Sequence, residues 1–389
     1  MRHHTRLAAL GLALVTTASV AAVGSPAQAA SAGTASVTAT TKVRYAAAKG
    51  ARSKVVLTRS GNTITIDDVV AIKPGKGCKK VDRTKVRCTT RKAPTRLQVY
   101  TYDRGDSIVN DTDVRMTASA GTGNDRVYGG SRGDRIAGDD GADKLYGRGG
   151  NDNLNGWDGN DLVHGGDGND SIEESSSKRS GSDVLHGDRG DDYIDGETGN
   201  DKLYGDDGSD LIFGGPGLDR LEGGYGPDTL QGDDCSRGAG FGPCVAADVL
   251  LGGPDVDTVS YSDSDAPLVV DLDGARGDDG RSGEHDTVGA DVENLGGGTK
   301  NDRLTGNGAA NYIHGGRGGN DTIHGGAGDD QLSGGVGRDG LYGDAGDDVL
   351  LGSDDDGAEA ADWLDGGVNG DAGDQCVATR RDTLRGCER

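Results

Sequence analysis

Aspartate recurs in this chain at a fixed interval. Asp125, Asp134, Asp143, Asp152, Asp161 and Asp170 stand nine residues apart without a gap. Each closes a glycine-rich stretch, and an apolar residue follows two positions later: Val127, Ile136, Leu145, Leu154, Val163 and Ile172 in turn. Glycine permits the tight turns that aim backbone carbonyls inward, and a carboxylate beside such a turn completes a set of hard oxygen donors. Calcium takes about 6–8 such oxygens at roughly 2.3–2.6 Å in flexible geometry, whereas the strict octahedron of magnesium suits the set less well.

The pattern continues beyond this block. After an interruption at residues 174–177, Asp183, Asp192, Asp201, Asp210, Asp219 and Asp228 repeat the spacing. A loop carrying Cys235 and Cys244 leads to two looser units at Asp248 and Asp257. A third block holds Asp302, Asn311, Asp321, Asp330, Asp339 and Asp348, with Gly319 as one added residue and a degenerate unit at Asp362. The aspartates of the three blocks are the candidate metal ligands. Asn311 replaces Asp, and Arg132, Asp255 and Lys300 replace the fourth-position glycine, which marks their units as departures.

The elements that must position these ligands follow from one unit, Gly205–Phe213. Its glycines turn the chain, and its last three residues make a short strand that sends Ile212 into a core. Parallel stacking of such coils at about 4.7–4.9 Å would superpose identical side chains, including the carboxylates. Like charges stacked in this way repel unless a cation lies between them. One aliphatic side chain per nine residues is also a thin core, so ion binding is expected to be coupled to folding. The expected fold class is all-β: a parallel β-roll, or β-solenoid, of nonapeptide repeats.

The motif G-G-x-G-x-D-x-apolar-x resembles the RTX (hemolysin-type calcium-binding) repeat family over roughly residues 120–260 and 297–365. The resemblance implies that two nonapeptides form one coil and that calcium lies between unit n and unit n+2. It also implies that the sixth-position aspartates and the turn carbonyls are the ligands. The stretch from Val259 through Leu268–Leu272 to Leu295 is similar to strands that punctuate such arrays. Two features depart from many members: an N-terminal export signal and cysteines placed to form disulfides.

Composition agrees with a repetitive, cation-dependent chain. Its 389 residues include 72 glycines, two Phe and two Met, with 32% apolar residues and a formal charge of −24. That charge is segregated: residues 42–96 carry 16 Lys and Arg against three acids, while residues 97–389 carry 23 against 62. Repulsion on that scale opposes compaction without counter-cations. A merely solvating acidic surface is the competing reading, and the strict period argues against it.

Residues 1–29 read as a signal peptide, with Arg2 and Arg6 ahead of an apolar run and Ala27-Gln28-Ala29 as the cleavage site. Secretion is expected, and no later apolar run is long enough to span a membrane. Six cysteines in an exported chain suggest three local disulfides, Cys78–Cys88, Cys235–Cys244 and Cys376–Cys387. Residues 30–118 read as a small basic all-β domain clipped by the first pair, with alternating runs at 37–43, 53–59, 63–70 and 95–101 and a hairpin about Ser60-Gly61. The remaining divisions are a first array at 119–260, a β insertion at 261–296 with strands at 268–272 and 291–295, a second array at 297–365 and a cap at 366–389. Arg104–Ile108 already resembles half a repeat.

Enzyme motifs are wanting. H-E-x-x-H is absent, and residues 30–118 contain neither His nor Glu. Gly129–Gly133 matches G-x-S-x-G, but it lies inside a nonapeptide without the strand-to-helix setting of a nucleophile elbow. His164, His186, His314 and His324 all occupy the ninth repeat position, the place of a strand-exit side chain. The expectation is a secreted, non-enzymatic protein that binds several calcium ions and folds on binding them. The alternative is a surface structural or adhesive protein anchored through its basic segment to a cell-wall polyanion. A third reading is an enzyme with accessory repeats whose site lies in the 261–296 insertion or the N-terminal domain. Nucleic acid is not an expected partner.

Overall fold

Each repeat leaves the chain only a few residues of strand before glycine turns it, so the strands must be short and the coils narrow. The structure, a computed structural model, describes residues 32–174, 181–233, 246–352, 360–369 and 373–387. The expected signal peptide and Cys235–Cys244 pair lie outside the described residues. The chain forms about 14 turns of parallel β-solenoid without a helix among the described residues, and none is long and apolar enough to cross a membrane.

Alternate units lie on opposite faces. On one face Arg135–Asp140 pairs with Asn153–Asp158, which pairs with Ser171–Glu173. On the other, Arg126–Tyr128 pairs with Lys144–Gly149 and then Leu162–Asp167. All these pairings are parallel, and residues 18 apart face each other, as Leu145 faces Val163. Insertions leave the register intact: Val163 faces Leu185, and Leu221 faces Leu250. A slip of one residue would turn the aliphatic file to solvent, so the register is kept on both sides of each insertion.

Several strands, among them Arg135–Asp140, run six residues instead of the expected three. The second and third positions also pair with the next coil, Asp139 with Trp157 and Asp140 with Asp158. One face forms a continuous 17-stranded sheet. The other divides at the insertion: a 13-stranded sheet ends with Thr287–Val288, and an 8-stranded sheet begins at Leu268–Asp271 and Gly280–Arg281. The second strand expected there, at 291–295, is Asn294–Gly296.

The basic N-terminal segment supplies the first coils of the same stack. Lys42–Ala46 pairs in parallel with Arg96–Tyr100, which pairs with Met116–Ser119 and so reaches Arg135–Asp140. The expected hairpin is present, Lys54–Ser60 against Thr63–Asp67, extended by Lys85–Thr89 and Cys78–Lys80 and clipped by Cys78–Cys88. The run at 37–43 is two strands instead of one: Gly33–Ala39 folds back on Lys42–Ala46 with Val37 facing Val43. No Gly, Pro, Asn or Asp marks that turn in the sequence. A Cys376–Cys387 disulfide closes the last coil.

The core is a file of aliphatic side chains on each face. Val127, Leu145, Val163 and Leu185 form one, and Ile136, Leu154, Ile172 and Ile194 the other, none more than 1% exposed. The buried cluster runs unbroken from Ala35 to Leu364.

Candidate metal centres

The second and fourth positions of a unit shape its turn. Second-position residues take the left-handed conformation even when they are not glycine, as Asp139, Trp157 and Asp206 do with φ of 71°, 74° and 71°. The fourth position is stricter. Gly208 has φ of 158°, and a Cβ there would strike the Gly190 carbonyl of the preceding coil. Glycine at Gly208 leaves the room for this close stacking.

This backbone fixes the sixth-position aspartates in files. The N–H of Asp143 donates to Asp161 Oδ1 at 2.7 Å, Asp161 to Asp183 at 2.7 Å, and Asp183 to Asp201 at 2.8 Å. On the opposite face the N–H groups of Asp152, Asp170 and Asp192 donate to Asp170, Asp192 and Asp210 at 2.6, 2.6 and 2.7 Å. In the third block Asp302 donates to Asp321 and Asp321 to Asp339, both at 2.8 Å, and Asp330 to Asp348 at 2.9 Å. Every candidate aspartate lies on such a file, and none is more than 4% exposed.

One oxygen of each carboxylate is therefore satisfied. The other is not. In fourteen candidates, Asp125, Asp143, Asp152, Asp161, Asp170, Asp183, Asp192, Asp201, Asp210, Asp219, Asp228, Asp321, Asp330 and Asp348, Oδ2 is buried and accepts no hydrogen bond. That oxygen points into the turn of its own unit. A Cβ on first-position Gly138 would strike Asp143 Oδ2 and lie 2.8 Å from the Gly156 carbonyl oxygen of the next coil. First-position glycine thus keeps open a space edged by a carboxylate oxygen and a carbonyl.

Burial pushes these carboxyls up. Asp152, Asp161, Asp201 and Asp321 rise to about 8, chiefly through desolvation, with the charge of neighbouring coils adding and the N–H of the preceding aspartate opposing. Asp143 rises to about 7 for the same leading reason. A buried polar atom without a partner costs roughly 1–3 kcal/mol, and a bound cation removes both that cost and the repulsion along the file. Acidic oxygens with adjacent carbonyls are the ligand set calcium takes, so the residues present fit the ion.

Three units differ. Asp134 Oδ2 accepts from the Gly130 N–H at 2.7 Å and from Asn110 at 3.4 Å. Asp302 Oδ2 accepts from Gly298 at 2.8 Å, and Asn311 Oδ1 from Asn307 at 2.8 Å. Two of these are the units with Arg132 and Lys300 at the fourth position, and the third has lost its carboxylate. The Asp255 unit, by contrast, keeps an unpartnered Asp257 oxygen.

Sequence reading passed over other members of the files. Asp106, Asp248, Asp257 and Asp374 also bury an Oδ2 without a partner. Ser53 N–H donates to Asp106 at 2.6 Å, so the half-repeat at Arg104–Ile108 is a working register position. Asp248 and Asp257 were visible as looser units; nothing in the spacing marks Asp374. Ninth-position histidines face outward: Tyr128, Tyr146, His164, His186 and Tyr204 stack with centroids 4.5–5.5 Å apart. His186 Nδ1 pairs with Asp206 at 2.9 Å, and His324 Nδ1 with Asp344 at 2.9 Å.

A family model for the RTX calcium-binding nonapeptide repeat matches residues 119–154, 138–172, 179–212, 213–236, 288–319 and 316–350. No match to a curated protein was found. With the files of aspartates, the glycine turns and the parallel coils in place, the chain carries RTX calcium-binding nonapeptide repeats in multiple copies across residues 119–350.

Proposed function

We propose that this is a secreted, non-enzymatic calcium-binding protein whose turns take up several Ca2+ ions and whose solenoid becomes ordered as they bind. The observation that carries the reading is the repeated buried Oδ2 without a partner, edged by a carbonyl of the next coil. An ion held between one turn and the turn one coil later would bridge coils that share little apolar contact. Calcium supplies the positive charge; the chain supplies oriented oxygens and excludes water from them. Extracellular modules bind calcium at about 10⁻⁴–10⁻³ M, a range that would leave the sites empty inside a cell and filled outside it. Circular dichroism and small-angle scattering with and without a chelator test this. Expansion and loss of β signal on chelation support it; an equally compact, β-rich chain without calcium overturns it.

A second reading, surface attachment, rests on the basic N-terminal strands, where Lys76, Lys79, Lys80, Arg83, Arg87, Arg91 and Lys92 are exposed. The test is retention of the full chain on an acidic cell-wall polymer and its loss when Lys79, Lys80 and Arg83 become Glu.

A further inference from the structure

We propose that Glu174, together with Asp161, forms a divalent-cation site of higher charge than the others in the array, and that this site fills first. The inference rests on the calcium reading and goes beyond it. Glu174 stands four residues after Asp170, at the first position of its unit, where other turns have glycine. Its backbone keeps the coil-to-coil ladder, with its N–H on Asp195 O at 3.0 Å.

Its side chain does what no glycine can. The carboxylate folds back over Gly156 of the preceding coil, with Oε1 3.3 Å from the Gly156 N–H. A Cβ built on Gly156 would lie 2.7 Å from each Glu174 oxygen and would strike Asp161 Oδ2. At Gly129, Gly147 and Gly165 the corresponding space is met by a carbonyl oxygen of the next coil, from Gly147, Gly165 and Gly187. Here a charged carboxylate takes that neutral oxygen's place. Glu174 is 2% exposed, and its Oε2 has no hydrogen-bond partner, nor does Asp161 Oδ2. Two buried carboxylates, those of Glu174 and Asp161, meet over Gly156 with one unpartnered oxygen each, which suits a cation, and ligand charge is one of the two variables that tune calcium affinity.

Trp157 follows Gly156 directly and gives the site its own reporter. In full-length protein carrying Trp363→Phe, terbium is titrated while tryptophan-sensitised emission and circular dichroism are recorded. The expected result is that Trp157-sensitised emission saturates before most of the β signal has formed. Glu174→Gln, which keeps the shape and removes the charge, should move that step to a terbium concentration on the order of tenfold higher, or about 1.4 kcal/mol. Glu174→Gly, the residue other turns use, should do the same. Glu173→Gln, which removes an equal charge from the exposed neighbouring position, should leave the step in place. An unchanged emission step in both Glu174 variants overturns the assignment while calcium binding stands. A parent chain that takes up no metal overturns the calcium reading and this proposal together.

Discussion

Calcium-free protein should order itself when it is acidified. The reason lies in the sixth-position carboxyls, which burial raises from 3.8 to about 8 at Asp152, Asp161, Asp192, Asp201 and Asp321. A carboxyl with a raised folded-state pKa binds its proton more tightly folded than unfolded. Stability without calcium is therefore greatest below the unfolded value of about 4, falls as pH rises through the window to about 8, and is level above it. For Asp201 alone the rise is worth at most roughly 5–6 kcal/mol, at about 1.4 kcal/mol per tenfold change. Even a third of that at each of several sites consumes a stability of about 5–15 kcal/mol. A protonated Oδ2 can also donate to the carbonyl beside it. With calcium the sign reverses, because the ion needs the ionised form: stability is then high above about 8 and is lost as protons displace the metal. The assay is far-ultraviolet circular dichroism of metal-stripped protein in calcium-free buffer from about pH 4 to pH 8, repeated with calcium. Crossing curves are expected. A calcium-free β signal that rises with pH, or ignores it, refutes the reasoning.

Other perturbations separate the parts of the account. Asp152→Asn should remove a calcium ion and lower the calcium-bound melting temperature, whereas Asp134→Asn, whose second oxygen is already satisfied by Gly130 and Asn110, should leave calcium stoichiometry unchanged; calorimetric titration distinguishes them. Gly208→Ala places a methyl against the Gly190 carbonyl and should cost more than about 3 kcal/mol, while Gly50→Ala, with φ of 78° and nothing near its Cβ, should cost only about 1–2 kcal/mol. Leu203→Ala opens the aliphatic file at a fully buried position and should cost about 2–5 kcal/mol in denaturant unfolding with calcium present.

Much of this architecture is legible because period nine is rigid. Asp and its apolar partner recur in fixed phase, so the files, their faces and the core from Val127 onward follow from spacing alone. What escapes is what the period does not encode. The hairpin at 37–43 hides in a Thr-rich run that satisfies strand and turn alike. The first coils are built from residues 42–111 without the motif, so only Asp106 betrays their register. Glu174 looks like the first residue of an interruption, and only the fold shows it reaching back into the preceding turn. The self-satisfied oxygens of Asp134 and Asp302 are hinted at by Arg132 and Lys300, but the donor, a second-position N–H, is a matter of backbone orientation that no residue type announces.

The central claim is that the unpartnered aspartate oxygens hold calcium and that holding it orders the solenoid. Calorimetric titration of metal-stripped protein at about pH 8, with circular dichroism recorded on the same samples, tests both halves at once. The account predicts saturable uptake of many ions per chain, with the β signal rising over the same calcium range. No uptake, or uptake by a chain already fully β-structured before the first addition, would contradict it.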